Sequence, residues 1–233
     1  MITTTGLQHQ KHEGGGPLYV YQWPIRLWHW AMTASLLVRG VTGYFIAKPV
    51  ADWGTGWVRL LHFIAGDAFA ITMLFRFYWA FVGGHHAREI FVVPVWHPEF
   101  WVQIKDEVLY YLFLGKGRTY IGHNPLARIS MFFMFVCIGT FMIVSGFALY
   151  AENVPGGAME KAFGWVFTVM GSSQTVRTWH HLGMWGLAVF TCIHMYLATR
   201  QDIMGEASAI SAMIGGWRYF KPERHPNKTG EKL

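Results

Sequence analysis

WHHLGMWGLAVFTCIHMYLAT, residues 179–199, contains no Asp, Glu, Lys or Arg. It matches the ~20 residues of helix needed to cross a bilayer, yet it carries His180, His181 and His194. An imidazole in hydrocarbon costs free energy unless something binds it, so ionisable residues inside a span point to function by default. His180 and His194 stand fourteen residues apart, almost four turns of helix. They therefore face the same side, about 21 Å apart along the axis. His181, thirteen residues from His194, is turned away by about 140°. The helical wheel selects His180 and leaves His181 as a neighbouring or interface residue. Two imidazoles at this separation on one face suit two cofactors stacked across a membrane.

Three more apolar stretches are long enough to span: Ile25–Ala47, Trp57–Val82 and Pro125–Tyr150. Hydrocarbon offers no partner to backbone N–H and C=O groups, so each reads as a helix. Breakers mark the ends: Pro24, Lys48-Pro49, Gly83-Gly84 and Asn124-Pro125. Within the loop between the second and third spans, Pro98–Leu114 has Phe100, Trp101, Ile104, Val108, Tyr111 and Leu112 at spacings of three and four. Gln103, Asp106 and Glu107 fall between them, and the segment is too short to span, so it reads as an amphipathic helix lying along the interface. The expected fold is an all-α integral membrane protein: a four-transmembrane-helix bundle with an interfacial helix in its long middle loop. Residues 1–24 form a leader, 25–199 the membrane domain and 200–233 a polar tail. The leader lacks a small-residue cleavage site and reads as the cytoplasmic start of an uncleaved first span.

Composition agrees with this class. Of 233 residues, 53% are hydrophobic, 17% aromatic and only 14% charged, against roughly 25% charged in soluble domains. The net charge of +6 is not a nucleic-acid signature, because the basic residues gather in loops and the tail. Lys48, Arg59, Lys161 and Arg177 lie in the first and third links, and Arg39 and Arg76 within spans. The other 13 of the 19 Lys and Arg fall in or at the edges of the leader, the middle loop and the tail. The positive-inside rule then places both termini and the middle loop in the cytoplasm, with the chain in the cytoplasmic (inner) membrane. Cys137 and Cys192 lie in apolar runs without a C-x-x-C. That pattern disfavours a cysteine zinc site, an iron–sulfur cluster and covalent haem, and leaves both as small buried apolar side chains.

Depth pairs the histidines. His29 opens the first, outward-running span and lies on the inner side with His194; His62 opens the second and lies on the outer side with His180. Each pair suits a bis-histidine haem b, closed to exogenous ligands and therefore an electron carrier. Gly43 follows His29 by fourteen residues, and Gly66 and Gly183 follow His62 and His180 by four and three; each leaves room beside a planar group. Arg39 and Arg76 are candidates for charge-assisted bonds to haem propionates.

These residues resemble a known family. RLWHW (26–30), RLLHFIAG (59–66), RFYWAFVG (76–83), YIGHNPLA (120–127), RTWHHLGMW (177–185) and IHMYLATRQDIM (193–204) occur in order along nearly the whole chain. Together they are similar to the b-type cytochrome subunit of membrane-bound nickel–iron hydrogenases, within the di-haem cytochromes b that include formate dehydrogenase membrane subunits. The resemblance implies two haems b on His29, His62, His180 and His194. It implies a periplasmic partner of large and small subunits, the small one with iron–sulfur clusters and an anchor helix. Electrons from hydrogen would pass to quinone near the cytoplasmic side and build a proton gradient. The chain itself would be the electron-transfer subunit of a hydrogen:quinone oxidoreductase, without the hydrogen-activating site. His123 and Asn124 are candidates for the quinone site, while Asn124-Pro125 is equally a helix-start signal. His85, His86, His97, His9, His12 and His225 read as solvated. Two other readings stay open: a formate dehydrogenase-like haem subunit, and a haem-free anchor or transporter.

Overall fold

The computed structural model describes residues 17–49, 54–115, 120, 122–204 and 208–220. A short strand, β1 (Pro17–Tyr19), leads into helix α1 (Trp23–Ala47), which turns into α2 (Thr55–Val82). The middle loop holds one turn, α3 (His85–Arg88), and α4 (Pro98–Tyr111). The third long helix runs from Pro125 to Ala151 in three parts: α5 (Pro125–Met131), a π-helical stretch (Phe132–Ile138) and α6 (Gly139–Ala151). Two short helices, α7 (Ala158–Phe163) and α8 (Trp165–Met170), precede α9 (Ser173–Met204). A last turn, α10 (Ile210–Gly215), leads to β2 (Trp217–Tyr219).

Three of these helices are long and apolar enough to cross a membrane: Thr55–Val82, Pro125–Ala151 and Ser173–Met204. Helix α1 has the length, 25 residues, but falls short in apolarity by the same measure. The reason is its buried face, where Ser35, Arg39 and Thr42 lie among the apolar side chains. It packs along α2 more extensively than any other pair of elements in the described residues. The fourth helix is longer than its apolar run: its 32 residues take in Gln174 and Arg177 at one end and Arg200 and Asp202 at the other. Helices continue beyond hydrocarbon wherever their side chains tolerate the interface.

Large apolar side chains face outward all along the bundle, among them Leu37, Val41, Ile71, Leu74, Val189 and Ile193. So do Cys137 and Cys192, which are exposed and not the buried side chains expected from their apolar surroundings. The apolar run around each cysteine is there for the outward face of the helix, which in a membrane protein meets lipid.

One end of the bundle gathers the N-terminal strand, the middle loop and the C-terminal segment. Strands β1 and β2 pair antiparallel, Leu18 opposite Arg218. Trp30 Nε1 donates to the Met213 carbonyl at 3.1 Å, and Arg26 donates to that of Ile214. Arg200, at the end of the fourth helix, donates to the Tyr110 carbonyl at 2.9 Å and lies against the rings of Tyr110, Tyr111 and Phe113. Helix α4 departs from a simple amphipathic reading. Its buried face is Phe100, Gln103 and Glu107, while Trp101, Val108 and Leu112 face outward. Glu107 turns inward because the Asn124 amide nitrogen meets its carboxylate at 3.3 Å. The opposite end is closed by α7 and α8, which the apolar pattern of the sequence did not reveal; Val166 packs there with Ala148 and Val176, and Arg177 pairs with Glu152.

Candidate functional site

Helices α1 and α9 bring His29 and His194 together. Their ring centres lie 6.3 Å apart with an interplanar angle of 50°. A first-row metal binds an imidazole nitrogen at about 2 Å, so two such bonds in line across one metal set the ring centres roughly 6 Å apart. His29 and His194 could therefore hold one metal ion between them, each through one ring nitrogen. The buried His29 Nδ1 has no hydrogen-bond partner among the described residues. Phe190, one turn before His194, stacks on it at 5.7 Å and 16°, and Trp30 stands edge-on to His29 at 5.1 Å.

His62 and His180 lie toward the other end and within electrostatic reach of one another. Each is held by a hydroxyl from a neighbouring helix: Thr42 Oγ1 lies 3.0 Å from His62 Nδ1, and Ser145 Oγ lies 2.7 Å from His180 Nδ1. The same hydroxyls reach back to their own helices, Thr42 to the Val38 carbonyl at 2.6 Å and Ser145 to that of Phe141 at 2.7 Å. A hydroxyl has one hydrogen. Once that hydrogen is given to the carbonyl, the oxygen can only accept from the imidazole. Nδ1 must then be the donor, and Nε2 keeps its lone pair, the protonation pattern of a metal-ligating histidine whose other nitrogen is oriented by a polar neighbour. Thr42 and Ser145 were not singled out from sequence. Both are hydroxyl residues in apolar runs, and only the packing of neighbouring helices shows which nitrogen each one meets.

The glycines divide. A Cβ on Gly43 would lie 3.2 Å from His62 Cε1 and 3.5 Å from Met184 Sδ, so this glycine does abut a candidate ligand. Gly183 instead packs against Met142, whose sulfur would lie 2.6 Å from an added Cβ, and Gly66 meets nothing within 4 Å. Gly146, which the sequence reading passed over, borders His180, with Cε1 3.3 Å from an added Cβ.

Arg39 and Arg76 are both buried. Arg39 lies over the Phe69 ring at 4.4 Å, within electrostatic reach of His62 and His180, and its Nη1 has no partner among the described residues. Arg76 lies between Trp28 at 5.1 Å and Phe91 at 4.9 Å, and its Nε and Nη1 have no partner among the described residues. Buried guanidinium hydrogens without an acceptor fit an anionic group, such as a carboxylate of a bound cofactor. His181 is turned away from the pairs and accepts from Trp185 Nε1 at 3.1 Å. Among the described residues the histidines converge in twos, and no three His, Cys, Asp or Glu form a cluster fit for a metal ion.

At the end that joins the chain termini, His123 and Asn124 lie just before the third span. Asn124 caps that helix: its Oδ1 accepts from Ala127 N at 2.7 Å, and its Nδ2 donates to Tyr111 Oη at 3.0 Å and to Glu107. His123 meets Glu89, with Nδ1 2.9 Å from Oε2 and its backbone N–H donating to the same oxygen at 3.0 Å. It is within electrostatic reach of both His29 and His194. His97 precedes Pro98 as the N-cap of α4, without a side-chain capping bond. The side chains of His85 and His86, and His9, His12 and His225, lie outside the described residues.

A family model described as prokaryotic cytochrome b561 matches residues 20–216. The chain belongs to this family. Among its relatives in the cytochrome b561 family, a protein of Azotobacter chroococcum named "Probable Ni/Fe-hydrogenase B-type cytochrome subunit" is 50% identical over 230 residues, covering 94% of this chain and 96% of the relative. A Cupriavidus necator protein of the same name is 46% identical, covering 87% of each. The "Probable Ni/Fe-hydrogenase 1 B-type cytochrome subunit" of Escherichia coli K12 is 40% identical, covering 94% of this chain and 98% of the relative. As a cytochrome b561 with apolar helices of spanning length, the chain is a multi-pass membrane protein.

Proposed function

We propose that the chain is the membrane electron-transfer subunit of a nickel–iron hydrogenase and passes electrons between that enzyme and quinone. The observation that carries the reading is the 6.3 Å separation of the His29 and His194 rings, the span of two axial bonds to one iron. His62 and His180 form a second site, supported by the tautomer that Thr42 and Ser145 impose on them. Haem b bound at each pair would supply a one-electron carrier with no open coordination position. The protein's own part is to hold the four Nε2 lone pairs in place, keep water away, and offer Arg39 and Arg76 to the propionates. All four long helices, α1 included, span the membrane in this reading, since Arg39 on α1 is spent inside the bundle. The basic ends and middle loop face the cytoplasm under the positive-inside rule. The hydrogenase docks at the opposite, periplasmic side through its small subunit, and α4 lies along the cytoplasmic interface with its apolar side outward.

Quinone is received beside the inner pair. His123 supplies the polar contact to its carbonyl, and Asn124, whose amide is engaged with Tyr111 and Glu107, frames the loop. The test is a reduced-minus-oxidised spectrum with haem counting on the haem-replete, detergent-purified protein. Two b-type haems per chain are expected, and no b-type absorbance would end the proposal. Recovery of a molybdenum enzyme in place of a nickel–iron one on gentle purification would reassign the partner to the formate dehydrogenase type.

A further inference from the structure

Glu89 is a carboxylate buried to 4% exposure in the middle loop, and the quinone reading so far gives it no role. It is engaged on both oxygens. Oε2 accepts from the backbone N–H and Nδ1 of His123, at 3.0 and 2.9 Å, while Oε1 faces Arg128 Nη2 at 3.5 Å. Gly122 lets the carboxylate come this close, because a Cβ there would collide with the carboxylate oxygens. Arg218 fixes the same loop by donating to the Gly122 carbonyl at 2.8 Å, and the Tyr21 ring lies 5.6 Å from that of His123. Four segments thus converge to hold one imidazole.

Because Glu89 occupies Nδ1–H, neutral His123 presents the lone pair of Nε2. Adding a proton there gives an imidazolium whose charge the adjacent carboxylate stabilises. This is the arrangement in which a carboxylate orients a histidine and supports its charged form without itself taking the proton.

We infer that Glu89 and His123 form a carboxylate–imidazole dyad that delivers protons to quinone, with Glu89 as the positioning residue and His123 as the proton carrier. The inference rests on the quinone reading above. Conversion of quinone to quinol takes two electrons and two protons. The electrons come from hydrogen oxidised by the partner enzyme, and each proton crosses as a His123 Nε2–H bond breaks and a quinone O–H bond forms. His123 returns to its neutral form with Nδ1–H still on Glu89, and water on that side of the membrane protonates Nε2 again. Other titratable or charged groups face the dyad. Arg128 comes from α5, Arg218 from β2 and Tyr21 from the segment after β1. Glu107 and Tyr111 lie on α4 beyond Asn124, Arg76 on α2 is within electrostatic reach of Glu89, and His29 and His194 are within reach of His123. Tyr21 does not compete, because burial pushes its hydroxyl well above the usual tyrosine range.

The test uses membrane vesicles holding the intact hydrogenase–cytochrome complex, with hydrogen as reductant and short-chain benzoquinone and naphthoquinone acceptors. Glu89→Gln is expected to keep the hydrogen-reduced haem spectrum. It should lower kcat for quinone about 10- to 100-fold and leave KM within about twofold. An unchanged kcat, with the haem spectrum intact, overturns the inference. If Glu89→Gln loses the spectrum, His123→Ala decides: recovery of rate with added imidazole supports proton carriage, and no recovery overturns it. Wild-type vesicles that reduce haem with hydrogen but neither quinone would instead overturn the quinone reading, and this inference with it.

Discussion

The two histidine pairs are built differently. His62 and His180 are each held at Nδ1 by a hydroxyl from a neighbouring helix. His29 has a buried Nδ1 without a partner among the described residues, and His194 is braced by the face of Phe190. One site is fixed by hydrogen bonds that dictate a tautomer; the other is fixed by aromatic packing. Their surroundings differ as well. Glycines on two helices border the first site, Gly43 at His62 and Gly146 at His180. The second has the polar Glu89–His123 loop nearby. A site braced by specific hydrogen bonds has one orientation and tolerates little change, whereas a site held by packing can shift with its neighbours. Under the proposed function, a path that accepts electrons from a protein partner at one end and meets a diffusible quinone at the other would use both kinds.

The largest effects come from the histidines themselves. If each pair holds one haem as proposed, His29→Ala and His194→Ala should each lose the same haem, and His62→Ala and His180→Ala the other. Haem counting on the four purified variants checks this. If His29→Ala and His62→Ala abolished the same haem, the division into two sites would be wrong.

Next come the hydroxyls. Ser145→Ala leaves the buried His180 imidazole without its hydroxyl partner, at a cost of about 1–3 kcal/mol, and Thr42→Val should cost less, because His62 also meets the Arg39 backbone. Loss of an outer-shell partner of a metal ligand typically weakens binding about 10- to 100-fold. Haem titration of each variant should show one site weakened by that factor and the other unchanged. Equal weakening of both sites would mean that the hydroxyls act on the bundle as a whole, and the contrast between the sites would fall.

Periodicity and hydropathy make the frame of this molecule readable, because they are properties of single helices. The run from Trp179 to Thr199, the Pro98 start of α4 and the Asn124-Pro125 opening of the third span are all visible in one dimension, and the structure places helices over each. Spacing and depth also pair His29 with His194, whose rings the fold brings together. Contacts between helices are another matter. That Ser145 meets His180, that Glu89 reaches His123 across 34 positions, and that Gly183 packs on Met142 depend on helix rotations that no single-chain pattern fixes. Helix α4 shows the limit well: its apolar spacing is plain, but Gln103 and Glu107 turn inward, Glu107 to a polar partner in a distant segment. The helices α7 and α8 are only six residues each, too short for periodicity to declare itself.

Gly146→Ala sharpens the comparison sterically. Its new Cβ would stand 3.3 Å from His180 Cε1, so the ring must shift by a few tenths of an ångström against a hydroxyl that holds its other side. Overpacking of this kind costs about 1–2 kcal/mol. The expected result is a loss of roughly five- to thirtyfold in haem affinity at the His62–His180 site alone. Adding Ser145→Ala should not double the loss, since a ring freed from the hydroxyl can move aside; fully additive effects would show that the two contacts act independently.

The smallest expected effect probes the packed site. Phe190→Leu keeps the apolar volume beside His194 but removes a ring stacked at 5.7 Å and 16°. Aromatic pairs contribute about 0.5–1.5 kcal/mol beyond their area, so the His29–His194 site should loosen by a few-fold. The same substitution also removes the edge contact between Phe135 and Phe190, but it leaves every hydrogen bond at His62 and His180 in place. Haem affinity at that second pair should therefore not change. The readout is the ratio of the two affinities in one titration, which cancels any general loss of stability. A fall in the first affinity alone means that packing holds His194; a parallel fall in both means that Phe190 supports the whole bundle and the inner pair has no bracing of its own.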